Sequence, residues 1–266
     1  MAAPKWRQLA DEFAERIRSG DLAPGSPLPP VRARTAADAG ATTVQMAYRA
    51  LEAEGLVRTD PDKGTVVRGR RTKIVRKPQD HYQWEKDRVL LPRAERSRTG
   101  VTERETGLLK NQLKFTARYA REGAPKDVAR RFSVDVGTQM LHRRYRTSSR
   151  DAEVAISLID SWLVYDVAAR NPDLLDSAHE PWPGGTLHQL STIGIEVGEI
   201  SDAITARPPT GHETQKLDLD PGVAVLVLHK TSHDLDGRVV EFSEVVLPGD
   251  RYELLYTIPL TQWTAR

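Results

Sequence analysis

A short amphipathic helix followed at once by a β-hairpin is predicted for residues 43–67. Apolar side chains recur at helical spacing on one face of the stretch TVQMAYRALEAEG: Val44, Ala47, Tyr48 and Leu51. Thr42 and Thr43 are suited to cap the start of this helix, and Gly55 is suited to end it. The pattern therefore predicts a helix that buries one face and leaves the other free.

The free face carries side chains of the kind that a helix presents to a polar, negatively charged groove: Thr43, Gln45, Met46 and Arg49. The next residues, LVRTDPDKGTVV, predict a strand, a tight turn and a second strand. Two earlier helices are predicted over 4–19 and 31–39. Three helices and a tight hairpin are typical of a winged helix-turn-helix, so this part of the chain is predicted to bind DNA.

The composition bounds the class of protein. A length of 266 residues suggests two domains. Hydrophobic residues make up 39% of the chain, enough for real cores, yet no apolar run is long enough to span a membrane. The N-terminus lacks the apolar centre of a signal peptide, and the absence of cysteine excludes disulfides and cysteine-based zinc sites. These features predict a cytoplasmic protein.

Positive charge is concentrated at the front of the chain. Residues 1–77 contain 15 Lys/Arg and 9 Asp/Glu, whereas residues 78–266 contain 24 and 28. Only the front third therefore suits a polyanion, although chance unevenness on solvated faces is an alternative. We predict a DNA-binding domain at 1–67, a linker at 68–79 that includes the basic run RGRRTKIVRK, and a second domain at 80–266.

The second half of the chain alternates long strand patterns with short helices. Strands are predicted over residues 115–119, 140–147, 152–163, 195–207, 224–234 and 239–247. Helices are predicted over 125–132 and 211–217, and a glycine turn leads into a short helix within 182–190. The sequence Asp234-Leu-Asp-Gly237 predicts a hairpin between the last two strands. An α+β domain is expected, with a mainly antiparallel sheet and helices on one side.

Several spaced motifs within residues 4–67 resemble the DNA-binding domain of the GntR family of bacterial repressors: W-x-x-L-A, I-R-S-G-D-L-A-P-G, L-P-P-V-R, T-T-V-x-x-A-Y-x-x-L-E-A-E-G-L-V and G-T-V-V. The resemblance implies that eight residues contact DNA: Arg32, Arg34, Thr42, Thr43, Gln45, Arg49, Lys63 and Gly64. Residues 39–42 read AGAT where the family usually carries a Ser-Arg pair, so the base preference is not predicted.

The resemblance also assigns a task to each part of this domain. The two arginines at the start of the second helix would grip the DNA backbone or an adjacent base, and the wing tip would approach the minor groove. On the third helix, Gln45 could pair bidentately with adenine, and Arg49 with guanine. Two alternatives stay open, because Thr42 is also suited to be a plain N-cap and Arg49 to be a solvated side chain.

The second half resembles the effector-binding UTRA domain of the HutC subfamily of GntR regulators. The motifs that carry the resemblance span about residues 90–258: A-P-K-D-V-A-R-R-F-S-V, G-T-Q-M-L-H-R-R-Y-R, S-W-L, G-G-T-L-H-Q-L, D-P-G-V-A-V-L, D-G-R-V-V-E-F-S and G-D-R-Y-E-L. The resemblance implies a fold like that of chorismate lyase, which in this family binds small molecules. It also implies a dimer that forms mostly through this domain.

Three places in the second half suit an anion or a polar ligand. Arg144 and Arg146 lie two apart on a predicted strand, so they share a face and could clamp a carboxylate or phosphate. Residues 184–186, Gly-Gly-Thr, open a helix with unpaired N–H groups. Glu241 could accept hydrogen bonds from a ligand. The resemblance implies a pocket lined by Arg144, Arg146, Ser157 or Ser161, Thr186 and Glu241.

Each of these residues has a structural alternative. The arginine pair could be a solvated surface face, Thr186 only a helix cap, and Glu241 the partner of an arginine inside a structural network. The histidines at 142, 188 and 229 show no metal-ligand spacing, so no metal is expected. No cofactor-binding loop or nucleophile–base pair is evident, so neither a cofactor nor a catalytic residue is expected.

These observations predict a bacterial transcriptional regulator, a repressor that binds a pseudo-palindromic operator as a homodimer. A small, anionic effector in the second domain would release or modulate it. One alternative is a DNA-binding regulator without a small effector, controlled by protein contacts or by its own level. A second alternative is an enzyme of lyase type, with Glu241 as base and Arg144 as anion holder.

Overall fold

The chain divides into two units of unequal length in the computed structural model, which describes residues 3–31, 40–60, 62–69, 73–150 and 155–261. The first unit comprises Met1–Thr72 together with Pro208–Ala224. The second comprises Lys73–Arg207 and Val225–Arg266. The helix predicted over 31–39 lies outside the described residues apart from Val31.

Two helices and a hairpin form most of the described part of the first unit: α1 Lys5–Ser19, α2 Ala41–Ala53, β1 Val57–Asp60 and β2 Gly64–Val67. The helices share a core in which Phe13, Val44 and Leu51 have no exposed surface. The rings of Phe13 and Tyr48 meet edge to face, with centroids 5.8 Å apart. The predicted apolar stripe of α2 is therefore confirmed, and the burial of Val44 and of Leu51 contributes about 1.5–3 kcal/mol each.

Helix α2 begins two residues earlier than the sequence predicts. Gly40 is its N-cap residue, so Thr42 and Thr43 lie inside the first turn and cap nothing. The helix also ends two residues before Gly55, which follows with φ +69°. The predicted N-cap is wrong in position because glycine is itself an acceptable N-cap residue, whereas Gly55 ends the helix as predicted, in the left-handed conformation directly after the C-cap residue Glu54. Both threonine side chains are thereby left free for other contacts.

The described residues of the second unit form eight strands: β3 Ile74–Arg76, β4 Leu113–Gly123, β5 Gln139–Ser149, β6 Ala155–Val164, β7 Val197–Arg207, β8 Val225–Asp234, β9 Val239–Pro248 and β10 Tyr252–Leu254. Six of them form an antiparallel sheet in the order β4-β5-β6-β9-β8-β7, and β3 pairs in parallel with β10. The predicted hairpin turn between β8 and β9 forms, with Gly237 N–H donating to Asp234 O at 3.1 Å. The predicted α+β class is confirmed.

Short helices accompany the sheet: α3 Pro78–Asp87, α4 Arg93–Arg96, α5 Val101–Thr106, α6 Lys126–Phe132, α7 Tyr165–Ala168 and α8 Gly185–Ser191. Single 3₁₀ turns lie at Arg88–Leu90, Lys110–Gln112, Pro172–Leu175 and Ser177–His179. Across the described ranges, none of the helices combines the length and apolar character that crossing a lipid bilayer requires.

Helices cover both faces of the six-stranded sheet. Helix α6 packs on one face against Met140, Trp162 and Phe242, whereas α8 packs on the other face against Leu141 and Leu163. The expectation of helices on one side is therefore wrong. The reason is visible at the start of β5, where the adjacent residues Met140 and Leu141 point to opposite faces and are 0% and 2% exposed.

Part of the segment predicted as a linker has regular structure. Strand β3 lies within 68–79, and α3 begins at Pro78, so two elements of the second unit fall inside the predicted linker. Residues 70–72 of its basic run lie outside the described residues. The contacts divide the chain at Thr72 and Lys73, and the boundaries predicted at 67 and 80 stay predictions.

The connection between β7 and β8 groups with the first unit, which the sequence did not predict. This connection, Pro208–Ala224, contains α9 Gly211–Leu217. Arg68 Nε lies 2.9 Å from Asp220 Oδ2, and both side chains are largely covered. The backbone at Gly222 approaches the last residue of α2 so closely that an added Cβ would lie 2.2 Å from Ala53 O. The connection therefore packs against the C-terminal end of α2.

Gly222→Ala is expected to lower the free energy of unfolding by about 1–3 kcal/mol. The φ of Gly222 is +78°, which strains an alanine, and its methyl group would overlap the Ala53 carbonyl. Gly237→Ala is the matched control, because Gly237 has φ +79° and nothing lies within 4 Å of an added Cβ. Urea denaturation should show the larger loss for Gly222→Ala; equal losses would mean that the close contact contributes nothing.

Candidate functional site

A cavity of about 700 Å³ lies in the second unit, over one face of the six-stranded sheet. Its floor comes from β5, β6, β8 and β9, its roof from the segment that contains α3, α4 and α5, and one end from the start of α8. The volume is typical of a small-molecule site. Because alternate strand residues face the cavity, the register of the strands decides which side chains line it.

A row of polar residues crosses the cavity floor. Arg143 pairs with Ser161 in the register of β5 and β6, Ser161 pairs with Ser243, and Ser243 pairs with Lys230. The two serines and Lys230 line the cavity, whereas Arg143 is 1% exposed. Four neighbouring strands therefore bring hydroxyl groups and positive charge together at one level of the sheet.

Glu241 lies beside this row and is 1% exposed. Its Oε1 accepts hydrogen bonds from Ser161 Oγ at 3.0 Å and from Ser243 Oγ at 2.7 Å. Its Oε2 accepts a hydrogen bond from Ser232 Oγ at 2.9 Å. Three serine hydroxyls thus satisfy this buried carboxylate and hold it in place.

Two cations compensate the charge of Glu241. Lys230 Nζ lies 2.8 Å from Oε2, and Arg143 Nη2 lies 3.4 Å from Oε1. Burial by itself would raise the pKa of Glu241, but Lys230 and Arg143 together with the hydrogen bonds lower it to about 2. The carboxylate is therefore charged at neutral pH. This geometry matches the structural role that the sequence left open for Glu241, which is to pair with an arginine inside a network.

A second buried network joins the first through Arg143. Arg143 Nη1 donates to Gln189 Oε1 at 2.7 Å, and Gln189 Nε2 donates to Glu180 Oε1 at 2.9 Å. The hydroxyls of Tyr119 and Tyr145 also donate to Glu180 Oε1. Burial raises the pKa of both tyrosines, so they remain protonated donors. Arg143 is therefore the residue that links the two carboxylates.

The structure places Arg144 and Arg146 away from the cavity, because Arg143 and not Arg144 faces inward. Arg144 Nη2 pairs with Glu122 at 3.1 Å, and Arg144 Nε lies 3.5 Å from Asp160 on the opposite face of the sheet. Its side chain is 51% exposed. The prediction that Arg144 and Arg146 clamp a ligand in the cavity is therefore wrong, because a shift of one residue moves a strand side chain to the other face of the sheet.

The other residues predicted for the effector pocket line the cavity: Ser157, Ser161, Thr186 and Glu241. At the start of α8, however, two of the N–H groups expected to be unpaired have partners within the chain, and the first of them, Gly185 N–H, donates to Trp182 O at 3.0 Å. Leu187 N–H donates to Glu85 Oε1 at 3.2 Å, and an added Cβ on Gly185 would lie 2.5 Å from that oxygen. A carboxylate from α3 therefore occupies the position predicted for a ligand anion. In the part of the chain that the structure describes, no cluster of His, Asp and Glu is arranged to hold a metal ion.

A polar, exposed surface lies on α2 in the first unit. Thr42, Gln45 and Arg49 are exposed and Thr43 is half-buried, on the face opposite to the apolar stripe. Because Gly40 takes the N-cap position, the hydroxyl of Thr42 is not used for capping. Three of the predicted DNA-contacting residues, Thr42, Gln45 and Arg49, thus lie on one side of a single helix, and Thr43 lies at the edge of that side.

The turn between β1 and β2 exposes Lys63 and Gly64. Asp60 Oδ1 accepts the N–H groups of Asp62 and Lys63 at 3.1 and 3.0 Å, and these bonds lower the pKa of Asp60. Gly64 has φ +72°, a conformation that favours glycine. This local geometry holds Lys63 at the tip of the hairpin. Arg32 and Arg34, the other two predicted DNA contacts, lie outside the described residues.

Four residues central to the cavity were not predicted from the sequence: Arg143, Glu180, Gln189 and Lys230. Arg143 would have been predicted if the other face of the strand HRRYR had been assumed to point toward the cavity. Gln189 lies three residues after Thr186 in the predicted short helix, where a face argument could have included it. Glu180 and Lys230 carry no local signal, because their roles depend on strand and loop pairing over long sequence distances.

Two family models match the chain. Residues 5–67 match the model of bacterial regulatory proteins of the gntR family. Residues 116–253 match the model of the UTRA domain. The first match contains α1, α2 and the β1–β2 hairpin, and the second contains most of the six-stranded sheet.

Similar proteins extend over nearly the whole chain. An uncharacterized HTH-type transcriptional regulator from Streptomyces coelicolor is 35% identical over 269 residues, covering 96% of this chain and 92% of that protein. Another from Rhizobium meliloti is 29% identical over 263 residues, covering 96% and 95%. A crystal structure of a protein assigned to the GntR family of transcriptional regulators superposes with a TM-score of 0.68 at 26% identity, covering 97% of this chain and 98% of that one.

Proposed function

This chain belongs to the GntR family of bacterial regulatory proteins and contains a UTRA domain, and from that premise we propose that it is a repressor of the HutC subfamily. It binds a pseudo-palindromic operator as a homodimer through its first unit. A small, anionic effector held in the cavity changes that binding. Because the proposed target is bacterial DNA, the protein acts in the cytoplasm.

The observation that carries the proposal is the exposed polar face of α2 beside a hairpin with a lysine at its tip. Gln45 and Arg49 have side chains that pair bidentately with adenine and guanine in the major groove. Thr42 and Thr43 lie one turn earlier, near the end of the helix that approaches the bases. Lys63 is placed for a phosphate or minor-groove contact.

A two-fold dimer supplies two such helices to two half-sites of the operator. The dimer forms mostly through the second unit, so a ligand in that unit can change how the two α2 helices are presented. An effector that favours a mismatched arrangement weakens operator binding by a coupling free energy of about 1–3 kcal/mol.

The test is an electrophoretic mobility shift with the DNA upstream of the protein's own gene. We expect a specific complex whose affinity falls steeply as the KCl concentration rises, because phosphate contacts release counterions. A duplex of scrambled sequence is the control. If no duplex gives a specific, salt-sensitive complex, the DNA-binding proposal fails.

Lys63→Ala is expected to weaken binding to all duplexes alike and to reduce the slope of log affinity against log salt by about 1. The reason is that an exposed lysine at the hairpin tip acts on phosphate charge rather than on base identity. Fluorescence anisotropy over a KCl series measures the slope. Lys110→Ala changes an exposed lysine of the second unit and should leave the slope unaltered. An unchanged slope in Lys63→Ala would remove that residue from the interface.

A regulator without a small effector is the second candidate, since α3–α5 already cover the cavity and Glu85 already occupies the start of α8. Thermal denaturation against a metabolite panel separates the two, because a ligand that binds only the folded protein raises its Tm. Consumption of a panel member would instead support a lyase. The matched families are those of regulators, which argues against an enzyme.

A further inference from the structure

We propose that the ligand of the cavity is a monoanionic amphiphile, a molecule with a carbon-rich body and one carboxylate or similar group. The body lies on an apolar part of the sheet floor, and the anionic group meets Lys230. This inference rests on the proposed function, because it names the chemical class of effector for the same cavity.

The apolar part of the floor lies next to the polar row. In the strand register Tyr145 pairs with Ile159, and Ile159 pairs with Val245, and all three line the cavity. Two residues further along the strands, Phe115 and Leu247 continue the apolar lining. The Phe115 and Tyr145 rings pack with centroids 5.7 Å apart. Thr147 and Ser157 add hydroxyls at this second level, so the level of Tyr145, Ile159 and Val245 is the one that would leave the hydroxyls of a sugar without hydrogen-bond partners.

Lys230 offers hydrogen-bond donors at the other end of this surface. Its ammonium carries three N–H groups, and one of them is directed to Glu241 Oε2 at 2.8 Å. Among the residues that the structure describes, the other group near this ammonium is the Tyr82 ring, whose centroid lies 5.9 Å from Nζ, and the Lys230 side chain is 12% exposed. A largely buried ammonium with two open N–H groups favours an anionic acceptor on the ligand.

The spacing of the rows sets the length of the ligand. Lys230 and Ser243 lie at one level, Val245 two residues further, and Leu247 two residues beyond that. Strand residues rise about 3.4 Å each, so the apolar surface begins about 7 Å from the polar row and ends about 14 Å from it. A fused aromatic acid or a medium-chain acid has this length.

Several other charged groups around the cavity are already engaged within the chain or exposed to solvent. Glu85 accepts Leu187 N–H, and His81 Nδ1 lies 2.8 Å from Glu105 Oε1. Lys110 and Arg150 are exposed at the rim, so water and salt screen their charges. Lys230 is therefore the cation on the floor with donors left for a ligand.

The experiment uses the full chain and measures Tm with 2-naphthoate, decanoate, 1-decanol and glucose 6-phosphate. We expect Tm to rise with the concentration of the two acids, and glucose 6-phosphate to have no effect. Decanol should bind at least about tenfold more weakly than decanoate, because it leaves the Lys230 donors without an anion. Preference for glucose 6-phosphate, equal binding of decanol and decanoate, or no binding of either acid would each overturn the proposal.

A matched pair of variants locates the binding surface. Ile159→Asn should weaken binding of the better acid by about tenfold, because it puts an amide on the apolar floor. Leu158→Asn changes the adjacent, half-buried residue on the other face and should leave the affinity unchanged. Equal effects of both would place the acid elsewhere. Operator binding is measured in parallel without ligand, so a lost operator complex contradicts the proposed function and not the ligand class.

Discussion

Arg143→Ala is expected to lower the free energy of unfolding by about 3–5 kcal/mol, the range for breaking a buried ion pair from one side. Arg143 is 1% exposed and donates to Gln189, Ser161 and Glu241. Its removal leaves Glu241 with one cation and strips Gln189 Oε1 of its donor. Urea denaturation at neutral pH, followed by far-UV circular dichroism, measures the loss.

Arg144→Ala is the matched control for Arg143→Ala. Its side chain is 51% exposed and pairs with Glu122 and Asp160 in solvent, where such pairs contribute about 0–1 kcal/mol. If Arg143→Ala does not fold, Arg143→Lys keeps the charge but loses the forked geometry, and an intermediate loss is expected. Equal stability of the Arg143 and Arg144 variants would contradict the buried network.

Glu241→Gln is expected to destabilise the protein most at neutral pH and progressively less as the pH falls. The pKa of Glu241 is depressed in the folded chain, from 4.5 to about 2. Its charge therefore contributes stability above pH 4.5, and that contribution is lost as the pH falls toward 2. The difference in unfolding free energy between the wild type and Glu241→Gln should narrow by about 3 kcal/mol over this window.

The measurement is urea denaturation of both proteins at several pH values between 6 and about 2.5. Glu244→Gln is the control on the same strand, because Glu244 faces the other side, is 40% exposed and contacts His229 at 3.0 Å. Its difference from the wild type should stay below about 1 kcal/mol. A gap for Glu241→Gln that does not change with pH would mean that Glu241 is neutral in the folded protein.

The sequence predicted most of the elements because their signals are local. The apolar spacing of α2, the Asp234–Gly237 hairpin turn and the long strands of the second half all follow from patterns within a few residues. Helix α9 was predicted with its exact bounds, 211–217. The start of α2 was missed by two residues, because both a glycine and the threonines after it satisfy the requirements of an N-cap.

The face of a strand is harder to predict than the strand itself. Met140 and Leu141 are both apolar, so the start of β5 does not say which face is inward, and the following residues include three arginines. The inward face became clear only from the pairing of β5 with β6. For this reason Arg144, which was predicted to hold a ligand, instead pairs with Glu122 on the solvent-exposed side of the sheet.

The cavity could be anticipated only in part. Thr186 and Glu241 were found by resemblance, whereas Lys230 and Glu180 meet their partners through contacts between distant segments. The roof was not anticipated at all. Residues 78–107 read as polar and charged, and nothing local indicates that Glu85 reaches the start of α8.

The segment Pro208–Ala224 has a consequence for modularity. The chain passes between the two units three times, at 72/73, 207/208 and 224/225, instead of once. A cut after residue 72 would separate Arg68 from Asp220 and the end of α2 from Gly222. The N-terminal part of the first unit, residues 1–72, therefore cannot be exchanged between relatives by a single crossover without breaking these contacts. A functional chimera must take the Pro208–Ala224 segment from the same protein as residues 1–72, on which that segment packs.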